Sequence, residues 1–317
     1  MLPLLPSTRR VFGLAVFFAL AAISLPVPLG AAEEAPRQIT FCSYNLKNWL
    51  SLEESVGQRP YHKPEAERER VVQTLAAIHP DILGVCEIGT ADDLAELQQR
   101  LEKAGLELPY TELAHGGDET RRLALLSRLP IKARNSQTAL TYQIGAQTLP
   151  MQRGILDVTI SLTPTFDLHL LGVHLKSMRT TEEADQALMR RNEARLLRLH
   201  LDTLFAQDPK ARILAYGDFN CQRNDPALAE VMGGLRTADT AMTDLLLRDP
   251  AGEVWTHFWD EADVYSRLDY CLTSRLLRPF IDTRSSGIHA EPDFIKASDH
   301  RPLVLKINTE PVRKGRR

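Results

Sequence analysis

Polar side chains able to do chemistry recur where apolar runs of this sequence stop: Asn45, Glu87, His174, Asp218 with Asn220, Asp269, and Asp299 with His300. Glu87, Asp218, Asn45 and Asn220 offer hard oxygen ligands. Mg²⁺ prefers these, typically taking one or two carboxylates and keeping positions for water and phosphate. The histidines add proton transfer and neutralisation of developing charge. Together these groups suit phosphoryl or phosphodiester hydrolysis better than acyl transfer. Taken singly, each has a plainer reading, a turn or cap for Asp and Asn and a surface group for His. Recurrence at strand ends, where α/β domains collect catalytic groups, favours a site. No Gly-x-Ser-x-Gly elbow, Walker loop or Rossmann glycine fingerprint competes.

The elements that must hold these groups are legible in the hydrophobic pattern. Residues 39–45 read as a strand, and Pro64 opens a helix with Val71, Leu75 and Ile78 on one face, stopped at His79-Pro80. Residues 81–88 are nearly all apolar, as in a strand buried on both faces. A helix over 91–104 closes at Gly105, and Leu123 to Ser127 is another buried strand. Strands over 155–162 and 166–174 flank Thr163-Pro164-Thr165, a hairpin signal. A long helix is expected over 182–205 with Ala194, Leu197, Leu201 and Leu204 inward. Arg190, Arg191, Arg195 and Arg198 should form its solvated face. Short strands follow at 213–216, 266–272 and 302–307. Strands with helices between them predict an α/β fold of two packed sheets with helices outside, and no linker divides residues 38–308.

The single long apolar run lies at the N-terminus, which excludes a multi-span membrane protein. Arg9 and Arg10 are the only charges in residues 1–32, and the run from Val11 to Leu25 follows them. As a helix it would rise roughly 22 Å, short of the roughly 30 Å of a bilayer core. With the small residues Gly30-Ala31-Ala32 this reads as a cleaved signal peptide over 1–32, against the alternative of an uncleaved anchor. Ser7-Thr8-Arg9-Arg10-Val11-Phe12 also fits a twin-arginine signal, so Sec and twin-arginine export both remain open. The expected destination is periplasmic or secreted. Residues 33–37 form a short linker, and 309–317 form a basic tail read as frayed.

Lys and Arg number 38 against 41 Asp and Glu, a net charge of −3, and losing the leader removes two further positive charges. No general electrostatic grip on nucleic acid is written into that composition. Cys42, Cys86, Cys221 and Cys271 are even in number, but their spacing fits no stapled scaffold and no zinc site. They read as buried free thiols. Cys42 and Cys86 are one step out of phase with Asn45 and Glu87, so both should point away from the site, between sheet and helices.

Six motifs in order carry a resemblance. Ser43-Tyr44-Asn45, the strand ending at Glu87, Gly172-Val173-His174-Leu175-Lys176-Ser177, Gly217-Asp218-Phe219-Asn220, Ser266-Arg267-Leu268-Asp269-Tyr270 and Ser298-Asp299-His300-Arg301-Pro302 resemble the endonuclease/exonuclease/phosphatase superfamily. They span nearly all of residues 38–308. The resemblance implies a four-layer α/β sandwich, two mainly antiparallel β-sheets packed face to face with helices outside. It also implies a phosphoesterase dependent on Mg²⁺ or Mn²⁺. By position, Glu87 is the principal metal ligand, assisted by Asn45. Asp218 positions or deprotonates the attacking water, and Asn220 holds the scissile phosphate. His300 contacts the phosphate, Asp269 orients His300, and Asp299 belongs to the metal or acid–base set. His174 matches the second catalytic histidine of the deoxyribonuclease and sphingomyelinase branches. Abasic-site endonucleases lack it, which points away from base-excision repair. Arg153 resembles a basic residue placed near the phosphate in some bacterial members. Lys176 would share the His174 face if that strand continues. The remaining histidines match no motif and are taken as structural or surface groups.

The leading expectation is therefore an exported, metal-dependent phosphodiesterase, a nuclease of low sequence specificity acting on DNA or RNA as a monomer, with no protein partner implied. A phospholipid (sphingomyelinase-like) or sugar or inositol phosphate substrate is the alternative, because the same chemistry serves all of them. Lys47, Arg59, Lys63, Lys176 and Arg179 near the expected mouth would help hold nucleic acid. The 49–62 and 142–151 loops could touch lipid, though neither is an aromatic finger. A binding module that lost its chemistry should lack a motif position, and none is missing.

Overall fold

Apolar runs become central strands, and helices cover the outside of the sheets they form. The computed structural model describes residues 37–52, 61–234 and 239–312. The expected leader over 1–32, the linker as far as residue 36, Arg59 and the last five residues of the tail lie outside these. In chain order come β1 (Gln38–Trp49), β2 (Ser51–Leu52), β3 (Tyr61–His62), α1 (Glu65–Ile78), β4 (Ile82–Ile88) and α2 (Ala91–Lys103). Next are β5 (Tyr110–Ala114), β6 (Arg122–Ser127), β7 (Ile131–Arg134), β8 (Thr141–Ile144), β9 (Gln147–Pro150), β10 (Leu156–Thr163) and β11 (Phe166–His174). After α3 (Gln186–Gln207) follow β12 (Ile213–Asp218), α4 (Pro226–Met232), β13 (Met242–Asp244), β14 (His257–Trp259), β15 (Val264–Ser266) and β16 (Asp269–Ser274). The chain closes with β17 (Gly287–Ile288) and β18 (Leu303–Asn308).

Two six-stranded sheets result, ordered β17-β18-β1-β4-β6-β5 and β13-β16-β12-β11-β10-β7. Both are mainly antiparallel. Each has one parallel pair at its centre, β1 with β4 and β11 with β12. The sheets face each other over a core holding Phe41, Ile82, Leu125, Val158, Leu170 and Tyr216. The outer face of the first sheet packs on α1 and α2 through Val71, Leu75, Leu97 and Leu101. That of the second packs on α3 and α4 through Leu197, Leu201 and Leu228. The expected four-layer α/β sandwich is thus the observed fold.

Several local expectations need correction. The long helix starts at Gln186, not at residue 182, because the Asp185 side chain caps it by accepting from Leu188 N–H. Arg190 and Arg198 are buried, not solvated. Arg190 donates to the carbonyls of Lys176 and Ser177, and Arg198 to those of Val231 and Thr240. Long donor side chains can thus occupy an apolar-facing helix position when loop carbonyls meet them. The 142–151 loop is the β8–β9 hairpin.

Cys42 lies between sheet and helices as expected, but Cys86 points into the core between the sheets, 3.5 Å from the Val173 carbonyl. Glu87 is the cause. It takes φ 61°, and the β1–β4 register shifts beyond Asn45. Strict alternation would have sent Glu87 toward the helices, whereas the kink turns it into the site. All four cysteines are free and buried, and burial pushes the Cys221 thiol up to about 12. No thiol is therefore expected to react with a soluble disulfide reagent in native protein, and four should react in denaturant. Rapid native labelling of any one would contradict this packing.

Candidate active site

Both parallel pairs end at the same edge of the sandwich. β1 and β4 deliver Asn45 and Glu87, and β11 and β12 deliver His174 and Asp218, which are register partners. Antiparallel β16 begins at Asp269, opposite Asp218. His300 stands just ahead of β18, where the Ser298 hydroxyl donates to the Asn45 carbonyl and accepts from His300 N–H.

The Gly-Asp-Phe-Asn turn shows why those residue types are needed. Gly217 has φ 126°, and a methyl group there would overlap the Val173 carbonyl. Asn220 also takes a left-handed φ of 49°, which asparagine tolerates. In that pose its N–H donates to Asp218 Oδ1 (2.8 Å) and its side-chain amide to the Leu175 carbonyl (3.0 Å). Gly217→Ala is expected to cost about 3 kcal/mol from strain and overlap together, read from denaturant unfolding. A loss within about 0.5 kcal/mol, the range of an ordinary surface change, would show that the strand relaxes freely.

Two carboxylate oxygens and a histidine nitrogen crowd the side-chain amide of Asn45. Asp218 Oδ2 lies 3.1 Å from its nitrogen, Glu87 Oε1 3.3 Å and His300 Nε2 3.4 Å. The two carboxylate oxygens match the amide's two hydrogens, which leaves none for His300 Nε2. Such a crowd of oxygens suits a divalent cation, which Glu87 would hold with Asp218 beside it. Asn45 would join by its Oδ1, the oxygen that here accepts from Lys47 N–H at 3.1 Å. Asp218, Asp269 and His300 also bring ligand atoms within 4.8 Å of one another. There, however, Asp269 Oδ2 is already bonded to His300 Nδ1 at 2.8 Å, so that set is the poorer cage.

Asp218 stands between the two histidines, its Oδ2 3.6 Å from His174 Nε2 and 3.7 Å from His300 Nε2. Burial lifts the Asp218 carboxyl to about 7, with Asp269 and Glu87 adding to the rise and His300 opposing it. Burial pulls His300 down, yet the charge and hydrogen bond of Asp269, with Asp218 and Asp299, reverse this and raise it to about 10. His174 goes the other way. Burial first, then the charges of Arg153, His300 and Arg121, hold it well below the usual histidine value. One imidazole is therefore charged and one neutral at pH 7.

Not every expected residue joins this group. Asp299 stands on its rim, with Ser298 Oγ at 3.4 Å and His257 Nε2 at 3.9 Å as its side-chain partners. Arg153 lies at the side, its guanidinium 3.0 Å from Asp118. Strand β11 stops at His174, so Lys176 does not continue that face; its ammonium donates to the carbonyls of Ser177 and Arg179. Lys63 is likewise spent on the Lys47 carbonyl and Glu67.

Three neighbours were hidden in the sequence. The His257 ring lies 4.7 Å from that of His300, and among the described residues its buried Nδ1 has no hydrogen-bond partner. Arg121 donates to Asn48, whose N–H caps Glu87 Oε2, and lies 3.9 Å from that oxygen itself. Asp118 joins Arg121 to Arg153. His257 sits on a three-residue strand too short to show a period. Asp118 follows two glycines and reads as the turn residue it also is.

The profile of the Endonuclease/Exonuclease/phosphatase family matches residues 51–300 of this chain. Among solved structures, truncated TDP2 from Caenorhabditis elegans is similar at a TM-score of 0.57 and 15% identity, covering 86% of this chain and 98% of that one. Beta toxin from Staphylococcus aureus gives 0.58 and 15%, over 84% and 99%. Sphingomyelinase C from Streptomyces griseocarneus gives 0.56 and 16%, over 86% and 99%. At these identities the likeness is one of fold. Comparison with curated proteins finds no match.

Proposed function

We propose that this chain, which belongs to the endonuclease/exonuclease/phosphatase family, is an exported phosphodiesterase that cleaves nucleic acid with low sequence specificity. The observation that carries the diesterase reading is Asp218 held between a charged and a neutral histidine. A divalent cation bound by Glu87 and Asn45, Mg²⁺ or Mn²⁺ by its oxygen donors, would neutralise phosphate oxygens and the charge that builds in the transition state. Asp218, whose carboxyl is raised by burial, takes a proton from the attacking water. His300, an imidazolium steadied by Asp269, donates Nε2–H toward a phosphate oxygen. Asn220, locked by Leu175, offers the remaining amide hydrogen to the phosphate. Neutral His174, on the other side of Asp218, is placed to accept a proton rather than to give one, and the leaving oxygen takes its proton from solvent.

Support for nucleic acid comes from Arg121 beside Glu87, with Arg153 joined to it through Asp118 at the side of the group. No base-reading element is needed for phosphate-led binding. Residues 1–32 carry the export reading. A second reading, a phospholipid diester, has its own observation. The 257–266 hairpin beside His300 exposes Trp259, Val264 and Tyr265, the aromatic finger that the two other loops lack. Its Asp260, Glu261 and Asp263 would repel a polyanion.

A panel with added Mg²⁺ or Mn²⁺ over plasmid DNA, RNA, sphingomyelin vesicles and bis(p-nitrophenyl) phosphate separates the readings. DNA or RNA cleavage that weakens steeply with salt is expected. Turnover of sphingomyelin with nucleic acids untouched would replace the first reading by the second. Inertness toward all four would remove both.

A further inference from the structure

Glu193, on α3, is fully buried, and among the described residues it makes no ion pair. Its two oxygens serve two backbone N–H groups from distant parts of the chain. Gln152 N–H donates to Oε1 at 2.9 Å, and Lys176 N–H donates to Oε2 at 2.6 Å. Gln152 precedes Arg153, and Lys176 follows His174 by two residues. Arg190, one turn earlier on the same helix face, donates to the Lys176 carbonyl at 3.2 Å. Helix α3 thus grips both polar groups of Lys176, doing for this segment what a neighbouring strand does for β11.

The contacts from these two segments meet again at the site. Arg153 pairs with Asp118 at 3.0 Å, and Asp118 lies 3.7 Å from Arg121. Arg121 lies 3.9 Å from Glu87, which lies 3.9 Å from His174 Nε2. From His174 the chain runs through Leu175, whose N–H donates to the Asp218 carbonyl, back to Lys176. The path is closed, and among the described residues Glu193 is the side chain that joins its two ends away from the reacting groups. Burying a carboxylate here costs solvation that a plain packing residue would not. Two acceptors aimed at two N–H donors are what that cost secures.

We propose that Glu193 is a positioning residue, pinning the Arg153 loop and the peptide after His174 to one point on α3 so that both groups face the same phosphate. The proposal rests on the phosphodiesterase reading for its effect on rate, and on the Glu193 hydrogen bonds alone for its structural part. An amide in place of the carboxylate has one acceptor, and its NH₂ would confront the second N–H. Glu193→Gln should therefore free one segment without changing side-chain volume. Glu193→Asp keeps both acceptors on a shorter stem.

The test measures kcat and KM on bis(p-nitrophenyl) phosphate with Mn²⁺, melting temperature, and amide hydrogen exchange at Gln152 and Lys176. For Glu193→Gln, kcat is expected to fall about 10- to 100-fold, as for a misplacement of about 1 Å. KM should stay within about threefold, and one or both amides should exchange at least about tenfold faster. Glu193→Asp should recover part of the rate and is the deciding variant if the glutamine protein does not fold. An active wild type whose variants keep kcat, or protected amides in both variants, would overturn the proposal. If wild type hydrolyses no diester, the functional reading falls and exchange alone decides the structural part.

Discussion

Glu87→Gln protein is expected to lose about 10³-fold or more in kcat and to bind Mg²⁺ or Mn²⁺ too weakly for a calorimetric titration to resolve. The magnitude follows from removing several kcal/mol of charge stabilisation, at about 1.4 kcal/mol per tenfold. Neither Arg121 nor His300 can take over, because a hydrogen-bond donor cannot hold water and phosphate oxygens together as a cation does. Glu87 is itself set in place at some cost. Its φ of 61° is a strained value for glutamate, and one oxygen is tied to Asn48 N–H at 3.0 Å while the other faces the Asn45 amide at 3.3 Å. Glutamine matches the shape but offers an NH₂ where both neighbours are donors. The fold should survive, since the side chain lies at the mouth outside the three apolar cores. Melting temperature should accordingly move little. Full activity in excess chelator, or a variant within about threefold of wild type, would remove the cation from the reaction.

Glu87 also shows where sequence reading reached and where it stopped. That it ends a strand was legible, because residues 82–86 are apolar without interruption, the pattern of a strand buried on both faces, and His79-Pro80 just before them stops a helix. That its backbone reverses phase was not, since nothing in Cys86-Glu87-Ile88 demands a left-handed residue. The error therefore passed to Cys86. Asn45, His174, Asp218, Asp269 and His300 were found together because each ends or begins an apolar run, and the topology puts those ends at one edge. Lys176 and Arg190 were misjudged for a shared reason. A charge pattern shows that a cation exists, and only the folded chain shows whether water or a loop carbonyl receives its hydrogens. His257 was beyond reach, as its neighbourhood to His300 is made by a bridge across 43 residues of chain.

The same edge supplies the second large expectation, for Asp269→Asn. His300 Nδ1 and Asp269 Oδ2 lie 2.8 Å apart, both side chains buried, so the carboxylate fixes the ring and favours its charged form. The Asp269 backbone does not depend on that carboxylate. Its N–H and that of Leu268 both donate to Thr256 Oγ1 at 3.0 Å, so the strand start stays put when the charge goes. What changes is the proton. With the ordinary value at about 6.5 and the folded one raised to about 10, the pair contributes stability fully below pH about 6.5. That contribution fades as pH rises through about 10, and the asparagine variant should lack it. Asparagine can also turn its NH₂ toward Nδ1, leaving the hydrogen on Nε2 of a neutral ring. Either way the phosphate loses a fixed positive charge. kcat should drop on the order of 10² to 10⁴, more than KM rises, as when a carboxylate that orients a catalytic histidine is removed. The alkaline limb of the kcat profile should move to lower pH. A bound cation beside Asp218 and Glu87 would lower both limbs without changing that direction. If Asp269 only fixed the local turn, stability would fall by about 1 kcal/mol while kcat and its alkaline limb stayed in place. Profiles of kcat against pH for the two proteins, with unfolding measured at pH 6 and 9, therefore decide whether Asp269 serves the reaction through His300.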